Sequence, residues 1–210
     1  MAISSGGLFG SHKGKLGKLV SYKILDKDVV RTVGEMPDNP PSEKQLPIRQ
    51  GTAIVTAFLK PILPFIRIGF QLAPERFKMY AYNRATSILK KTALIGAYPN
   101  ISIDYSKVLV AEGDLNPAEN AVVEKVEGGL KFTWDKSTAW PEHTEQVMMM
   151  AYFPELQEAI FITSGARRSK GEDILEIKPS RIDAKMETYI AFIADDRSSV
   201  ATSTYTGEIN

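Results

Sequence analysis

The chain has 210 residues, of which 43% are apolar and 24% charged, as in an ordinary soluble protein with a hydrophobic core. It has no cysteine, which excludes disulfides, zinc–thiolate sites and thiol catalysis, and its two histidines, His12 and His143, are too few for an all-histidine metal site. The net charge of +1 hides an asymmetry: residues 1–100 hold 15 Lys and Arg against 6 Asp and Glu (+9), and residues 101–210 hold 11 against 19 (−8).

The first part of the chain is predicted to be an irregular arm followed by a β-hairpin. Residues 1–17 (MAISSGGLFGSHKGKLG) are rich in glycine and lysine and show no helix or strand pattern. The β-rich runs KLVSYKIL and DVVRTVG meet near Asp26 and Lys27, which predicts two paired strands. The segment MPDNPP then interrupts regular structure, because proline fixes φ and restrains the residue before it.

Three helical segments are predicted between residues 42 and 95. Ser42 followed by Gln45 has the form of a capping box, which predicts a helix start at that point. Pro61 and Pro64 interrupt the helical pattern, and Gly96 is placed to end it. The predicted segments are 42–59, a short piece up to residue 70, and 74–95; ISIDYSKVLVAEG then alternates apolar and polar residues as a strand does.

The longest apolar stretch, residues 53–70, contains Lys60 and Arg67 together with two prolines. Charges at that depth are costly in lipid, so we expect a buried or interface helix and no membrane span. The first dozen residues contain no apolar run of the signal-peptide type, so we expect cytoplasmic synthesis.

From about residue 120 the pattern changes to strands alone. Short β-rich runs are separated by glycine and proline turn signals, which predicts an antiparallel sandwich of about ninety residues. The seven predicted strands are AVVEKVE, LKFTW, QVMMMAYF, EAIFITS, DILEIKP, ETYIAFIAD and SVATSTYTG. In the run Met148–Met150, the side chains on one face of the strand are expected to lie in the core and those on the other face to be half-exposed.

This last segment resembles a fibronectin type III or immunoglobulin-like domain. Trp134 ends the second strand as that family's core tryptophan does, Leu175 and Ile177 match its fifth strand, and Tyr189 lies where the tyrosine corner would be. The resemblance implies that these four residues form the sandwich core. The predicted fold is therefore α+β: an arm (1–17), a hairpin plus helical domain (18–119) and a seven-stranded antiparallel immunoglobulin/fibronectin III-like β-sandwich (120–210).

The whole chain also resembles an uncharacterised protein family of Bacteroidota, through GLFGSHKGKLGKLVSYK, VVRTVGEMPDNPPSEKQLPIRQ and IGAYPNISIDYSKVLVAEGDL. Small phage and prophage proteins are similar in their openings: a glycine-rich start, a hairpin ending in arginine, then N-P-x-[ST]-x-x-Q-x-x-x-R. Here Arg31 falls in the second hairpin run, and the fixed positions are Asn39, Pro40, Ser42, Gln45 and Arg49. The resemblance implies association with a virion or other assembly and implies no catalytic residues.

Motifs for chemistry are incomplete. The stretch from Gly10 to Lys15 is one residue too short for a phosphate-binding loop, and Leu16 stands where a hydroxyl is required. Ser87 and Lys90 have the S-x-x-K spacing, but the partner motifs are missing. His143 lies in an acidic loop without a nucleophile nearby in sequence. The sequence thus predicts no enzyme, no metal site and no cofactor.

The function predicted from these observations is a non-catalytic structural subunit that self-assembles, in a phage virion, a tail-like device or a filament. Glycine-rich termini become ordered only when something holds them, and a strand added to a neighbour's sheet would do so. The alternatives are a nucleic-acid-binding protein that uses the basic first half, a carbohydrate- or protein-binding module, and an enzyme with a scattered site. The predicted assembly contacts of the arm and hairpin are Leu8, Phe9, Lys13, Lys15, Lys18 and Arg31.

Overall fold

A computed structural model describes residues 3–5, 11–25, 27–35 and 40–210. The chain forms two compact units, residues 1–42 and 43–210. The predicted three-part division at residues 17 and 119 stays a prediction. The fold class is α+β, with four helices and several antiparallel sheets among the described residues.

The first unit contains a four-stranded antiparallel sheet of β1 (Ile3–Ser5), β2 (Ser11–Leu16), β3 (Leu19–Ile24) and β4 (Lys27–Thr32), in that order. The pairing of β3 with β4 confirms the predicted hairpin. The prediction of an irregular arm up to residue 17 is wrong for residues 3–5 and 11–16, because residues 11–13 pair with β1 and residues 14–16 pair with β3. Gly17, with a φ of 58°, allows the tight turn that brings these two strands together.

The second unit begins with the four helices α1 (Gln45–Leu59), α2 (Leu63–Gly69), α3 (Ala73–Phe77) and α4 (Ala81–Thr92). The helix predicted from residue 42 begins at Gln45, with Lys44 as N-cap and no side-chain cap, so the capping-box prediction is wrong. The helix predicted over 74–95 is broken, because Lys78 adopts a left-handed conformation that ends α3.

The region after α4 is less regular than predicted. Leu94–Ile95 (β5) pairs with Ser102–Ile103 (β6). A strand was predicted over residues 101–113, and within it only Ser102 and Ile103 belong to a sheet. Asp104 then accepts a hydrogen bond from the Ser106 N–H at the start of a 3-10 turn, Tyr105–Lys107. This local bond competes with continued strand pairing.

Each of the seven strand segments predicted after residue 120 contains a strand. Together they form a three-stranded sheet of order β11-β8-β7 and a four-stranded sheet of order β10-β9-β12-β13, both antiparallel. The strands are β7 (Val122–Val126), β8 (Gly129–Thr133), β9 (Gln146–Phe153), β10 (Glu158–Ile162), β11 (Glu172–Glu176), β12 (Met186–Ile193) and β13 (Thr204–Ile209).

Two hydrophobic clusters lie on opposite faces of the four-stranded sheet. Along β9, Met149 and its alternate neighbours belong to a cluster shared with the three-stranded sheet, and Met148 and Met150 belong to a cluster shared with the helices. All three methionines are fully buried, so the expectation of a half-exposed face in MMM is wrong. The reason is that the helices cover the face that a two-layered sandwich leaves open to solvent.

Aromatic contacts fix the helices on the sheet. Phe58 of α1 lies edge-on to Tyr152 of β9, with ring centroids 4.7 Å apart, and Phe65 of α2 contacts Phe161 of β10 at 5.7 Å. Within the described ranges, no single helix has the length and hydropathy needed to cross a membrane; α1 and α2 would meet that test only as a pair, bent by 90°.

Candidate assembly surface

The pairing register of the first unit assigns its side chains to two faces, because side chains alternate along a strand. Leu16 pairs with Leu19, and Ser21 pairs with Val30, which places Leu16, Leu19 and Val30 on one face. These three side chains are 60%, 46% and 62% exposed. We call this side the apolar face; it is a cross-strand patch of aliphatic groups open to solvent.

The opposite side, which we call the basic face, carries four exposed cations: Lys13, Lys15, Lys27 and Arg31. The Arg31 guanidinium carbon lies 5.8 Å from the centroid of the half-buried Tyr22 ring on the same face. The basic face therefore combines positive charge with an aromatic centre.

The structure brings together three of the six residues predicted from sequence as assembly contacts, since Lys13, Lys15 and Arg31 share the basic face. Lys18 lies instead in the turn between β2 and β3, where its carbonyl accepts a hydrogen bond from the Val33 N–H (2.8 Å). Leu8 and Phe9 lie outside the described residues.

The first unit has almost no interior. Among residues 13–25 and 27–35, Ser21 is the one buried side chain. A four-stranded sheet is stabilised by a hydrophobic face or by packing against another element. In the described part of this unit both faces of the sheet are largely exposed, so the aliphatic side chains of the apolar face are available for packing.

A surface of complementary character lies on the three-stranded sheet, on the side turned away from its core. Val122 and Ile174, each 50% exposed, lie there beside the exposed carboxylates of Glu124, Glu172 and Glu176. We call this side the acidic face. Sequence reasoning did not identify it, because its residues lie in separate strands and neither VVEKV nor DILE shows a strict alternation of apolar and charged residues.

The acidic face carries more carboxylates than cations in its three strands. Its one cation in these strands, Lys131, pairs with Glu172 (Nζ to Oε2, 2.7 Å). That hydrogen bond lowers the pKa of Glu172, which is therefore ionised. Three carboxylates against one ammonium leave the face with an excess of negative charge around two exposed aliphatic side chains.

Of the four predicted sandwich-core residues, Trp134, Leu175 and Ile177 belong to the cluster between the two sheets. Tyr189 is also buried, but it lies on the other face of β12, in the cluster shared with the helices. Its hydroxyl donates to the Tyr105 carbonyl at 2.9 Å. Because β12 is buried on both sides, its apolar pattern gave no indication of which face Tyr189 occupies.

A buried ion pair supports the edge of this core. Glu145 and Arg168 are 3% and 5% exposed, and their Oε2 and Nε atoms are 2.8 Å apart, too poorly aligned for a hydrogen bond. Arg168 also lies over the Phe192 ring at 3.8 Å, and its carbonyl accepts from Trp134 Nε1 at 2.9 Å. Burial raises the pKa of Glu145, although Arg168 opposes the shift.

Titratable groups elsewhere form structural contacts. Glu187, 2% exposed, accepts a hydrogen bond from the Tyr205 hydroxyl at 2.7 Å, and burial raises its pKa. His143 packs against Trp140, with ring centroids 5.4 Å apart. Across the part of the chain that the structure describes, no group of three or more His, Asp or Glu side chains is placed to hold a metal ion.

Comparison with known proteins identifies the chain's family. No curated protein and no solved structure matches the chain significantly. One family model, described as a family of unknown function (DUF6266), matches residues 11–207, which include most of the basic face, all four helices and nearly all of both sheets. The chain therefore belongs to the DUF6266 family.

Proposed function

We propose that this protein is a non-catalytic structural subunit that self-assembles through its N-terminal sheet, as a component of a phage virion, a tail-like device or a filament. The observation that carries the proposal is the sheet of residues 11–32, which exposes three aliphatic side chains on one face, beside Lys23, and the other four Lys and Arg side chains of its strands on the opposite face. Exposed apolar patches on small sheets are typical of interaction sites. The occupant that we assign to this surface is another copy of the same chain.

Charge complementarity supports that choice of partner. The basic face offers Lys13, Lys15, Lys27 and Arg31, and the acidic face offers Glu124, Glu172 and Glu176. Each face also has an apolar centre, Tyr22 with Ile24 on the first and Val122 with Ile174 on the second. Docking of the basic face on the acidic face of the next copy would pair opposite charges around a dry centre.

Such a contact joins two different surfaces, so it is heterologous and continues into a ring or an open filament. The apolar face, with Leu16, Leu19 and Val30, would then contact the apolar face of a further copy. The heterologous contact alone continues the assembly, and the second contact would join neighbouring rings or filaments.

We also propose that residues 122–209 form an immunoglobulin/fibronectin III-like sandwich. The first, second and fifth strands share one sheet, and the third, fourth, sixth and seventh share the other, which is the division expected of that fold. One hydrophobic cluster draws residues from both sheets. This fold serves binding and assembly in many proteins, so it is compatible with the proposal without specifying it.

The phage association is the finer part of the proposal. It is supported by the N-P-x-[ST]-x-x-Q-x-x-x-R stretch, whose Gln45 and Arg49 lie in the first turns of α1. The second strand of the hairpin that precedes it contains Arg31, which is on the basic face. The resemblance to a Bacteroidota family agrees with such a setting.

Charge exchange tests the assembly contact. The pair Lys15→Glu and Arg31→Glu on the basic face, and the pair Glu124→Lys and Glu176→Lys on the acidic face, should each weaken association at least about tenfold, because like charges then meet. A mixture of the two variants should associate again. Sedimentation velocity measures both results. The control is Glu119→Lys with Glu155→Lys, which changes the net charge by the same amount at positions outside the two faces.

The proposal predicts a specific pattern in these data. Both single-face variants must lose assembly while retaining the thermal unfolding temperature of the natural chain, and the control must assemble normally. If the natural chain assembles and neither variant changes it, the assigned faces are wrong. If loss occurs in both but mixing restores nothing, the two faces do not meet.

A further inference from the structure

Two clefts meet on the helical side of the second unit. One, of about 650 Å³, is lined by residues of α2, α3 and α4 that include Arg67, Tyr80 and Tyr82. The second, of about 480 Å³, runs along α4 and is lined by residues that include Tyr82, Lys90 and Lys91. Because Tyr82 lines both, the clefts adjoin, and we call the pair the tyrosine groove.

The tyrosine groove is positively charged. Arg67, Lys90 and Lys91 line it, and none of the described residues that line either cleft is Asp or Glu. Lys90 Nζ donates to Thr52 Oγ1 at 2.8 Å, a neutral partner that leaves its charge uncompensated. The positive charge of the groove is therefore open to an anionic ligand.

Two arginines near the tyrosine groove, Arg84 and Arg76, have their charge compensated by carboxylates. Arg84 is held by Glu112 through two hydrogen bonds of 2.8 and 2.7 Å, and Arg76 is paired with Asp114. Glu112 and Asp114 are thus engaged with cations outside the groove lining. The ordinary structural role of Lys90 and Lys91 is favourable charge at a helix C-terminus. Tyr82 packs in part against the cluster that the helices share with the sheet, and its hydroxyl lies 3.5 Å from Thr56 Oγ1. These roles do not account for the exposed Tyr80 or for Arg67 in the same cleft.

Aromatic rings set between cations are the chemistry that single-stranded nucleic acid requires. Bases stack on aromatic side chains, with about 1–3 kcal/mol per base, while cations follow the phosphates. Tyr80 is 47% exposed and Tyr82 is partly exposed at the junction of the clefts. The polar lining adds hydrogen-bonding groups, including Asn83, Thr86 and Ser87.

We propose that the tyrosine groove binds a single-stranded nucleic acid, with bases on Tyr80 and Tyr82 and phosphates on Arg67, Lys90 and Lys91. The inference is independent of the assembly proposal, because the groove lies in the second unit and shares no residue with the basic, apolar or acidic faces. It predicts that one chain holds two separable surfaces, one for other copies and one for the nucleic acid.

The test is fluorescence anisotropy with a labelled single-stranded oligothymidylate, titrated with the full chain at several salt concentrations. Binding should weaken as salt rises, since cations released from phosphates enter the equilibrium. Lys90→Glu with Lys91→Glu should weaken binding at least about tenfold. Tyr82→Ala should weaken it about fivefold or more, the equivalent of one lost stack, while Tyr82→Phe, which keeps the ring, should bind as the natural chain does.

Two controls make the outcomes distinct. Lys15→Glu with Arg31→Glu, on the basic face, should leave oligonucleotide binding unchanged although it removes assembly. Lys170→Glu with Lys178→Glu, on the acidic half, should also leave binding unchanged. The proposal is overturned if the natural chain does not bind at low salt, if binding survives Tyr82→Ala, if a duplex competes equally, or if the loss follows Lys15 and Arg31 instead of the groove.

Discussion

Two pairs of antiparallel strands in this molecule have opposite relations to solvent. In β9 and β12 every side chain except that of Gln146 is buried, because a sheet covers one face and helices cover the other. In β3 and β4 only Ser21 is buried. Backbone pairing is complete in both pairs, so pairing alone does not make a stable unit. The second unit has a core of its own, whereas the described residues of the first include one buried side chain.

The largest expected effect is in the buried ion pair of the second unit. Arg168→Ala leaves Glu145 buried without its partner and should lower the free energy of unfolding by about 3–5 kcal/mol. Urea denaturation at neutral pH measures the loss. Arg49→Ala, at an exposed position of α1, is the matched control and should change stability by less than about 0.5 kcal/mol. Equal effects of the two substitutions would show that the second unit is not held by this core.

A second test makes the same substitution in both units. A Cβ at Gly113 would lie 1.9 Å from the Val200 carbonyl oxygen, which is backbone and moves only at a cost, whereas a Cβ at Gly34 would meet nothing within 4 Å. Gly113→Ala should therefore destabilise by about 1–3 kcal/mol or more, and Gly34→Ala should leave the thermal unfolding temperature nearly unchanged. A substantial loss from Gly34→Ala would mean that the first unit is packed more tightly than its exposure indicates.

The smallest effect concerns pH. Burial raises the pKa of Glu187, so the folded state holds a proton that the unfolded state releases, and stability falls as pH rises from the unfolded pKa of about 4.3 through the folded one. Glu187→Gln should remove this fall. The free energy of unfolding of the variant relative to that of the natural chain should therefore increase across that pH window and be constant above it. Urea midpoints between pH 4 and 8 measure this.

Glu208→Gln is the control of opposite sign, because the hydrogen bond from Lys185 lowers the pKa of the exposed Glu208. Its ionised form stabilises the fold, so the loss of stability in this variant should grow as pH rises from the lowered pKa to the unfolded value of about 4.3 and be constant above it, which requires urea midpoints down to about pH 3. A pH-independent difference for Glu187→Gln would contradict the role that burial has in its titration.

Much of the second unit follows from its sequence, because long apolar runs bounded by turn residues locate strands such as β9 and β12. The spacing of apolar residues along β12 did not reveal on which side of the strand Tyr189 lies. Both sides are apolar, because the helices cover the side turned away from the three-stranded sheet. The break at Lys78 was also missed, because APERF and AYNRATSILKK read as one continuous helical pattern.

The candidate surface was predicted in part for a similar reason. Lys13, Lys15 and Arg31 stand out in sequence as cations, but their common face appears only once the register of β2, β3 and β4 is known. The acidic face was missed because Glu124 and Glu172 lie in different strands, and only the pairing of β7 and β11 with β8 brings them to one side.

The most direct measurement is the mass of the natural chain by sedimentation velocity over a wide range of concentrations. If other copies supply what β3 and β4 lack, the mass must rise above the 23.2 kDa of a single chain as concentration increases. The variant Leu19→Ser with Val30→Ser should form smaller species at equal concentration, with the second unit unfolding as before. A natural chain that sediments at 23.2 kDa at every concentration would contradict the account.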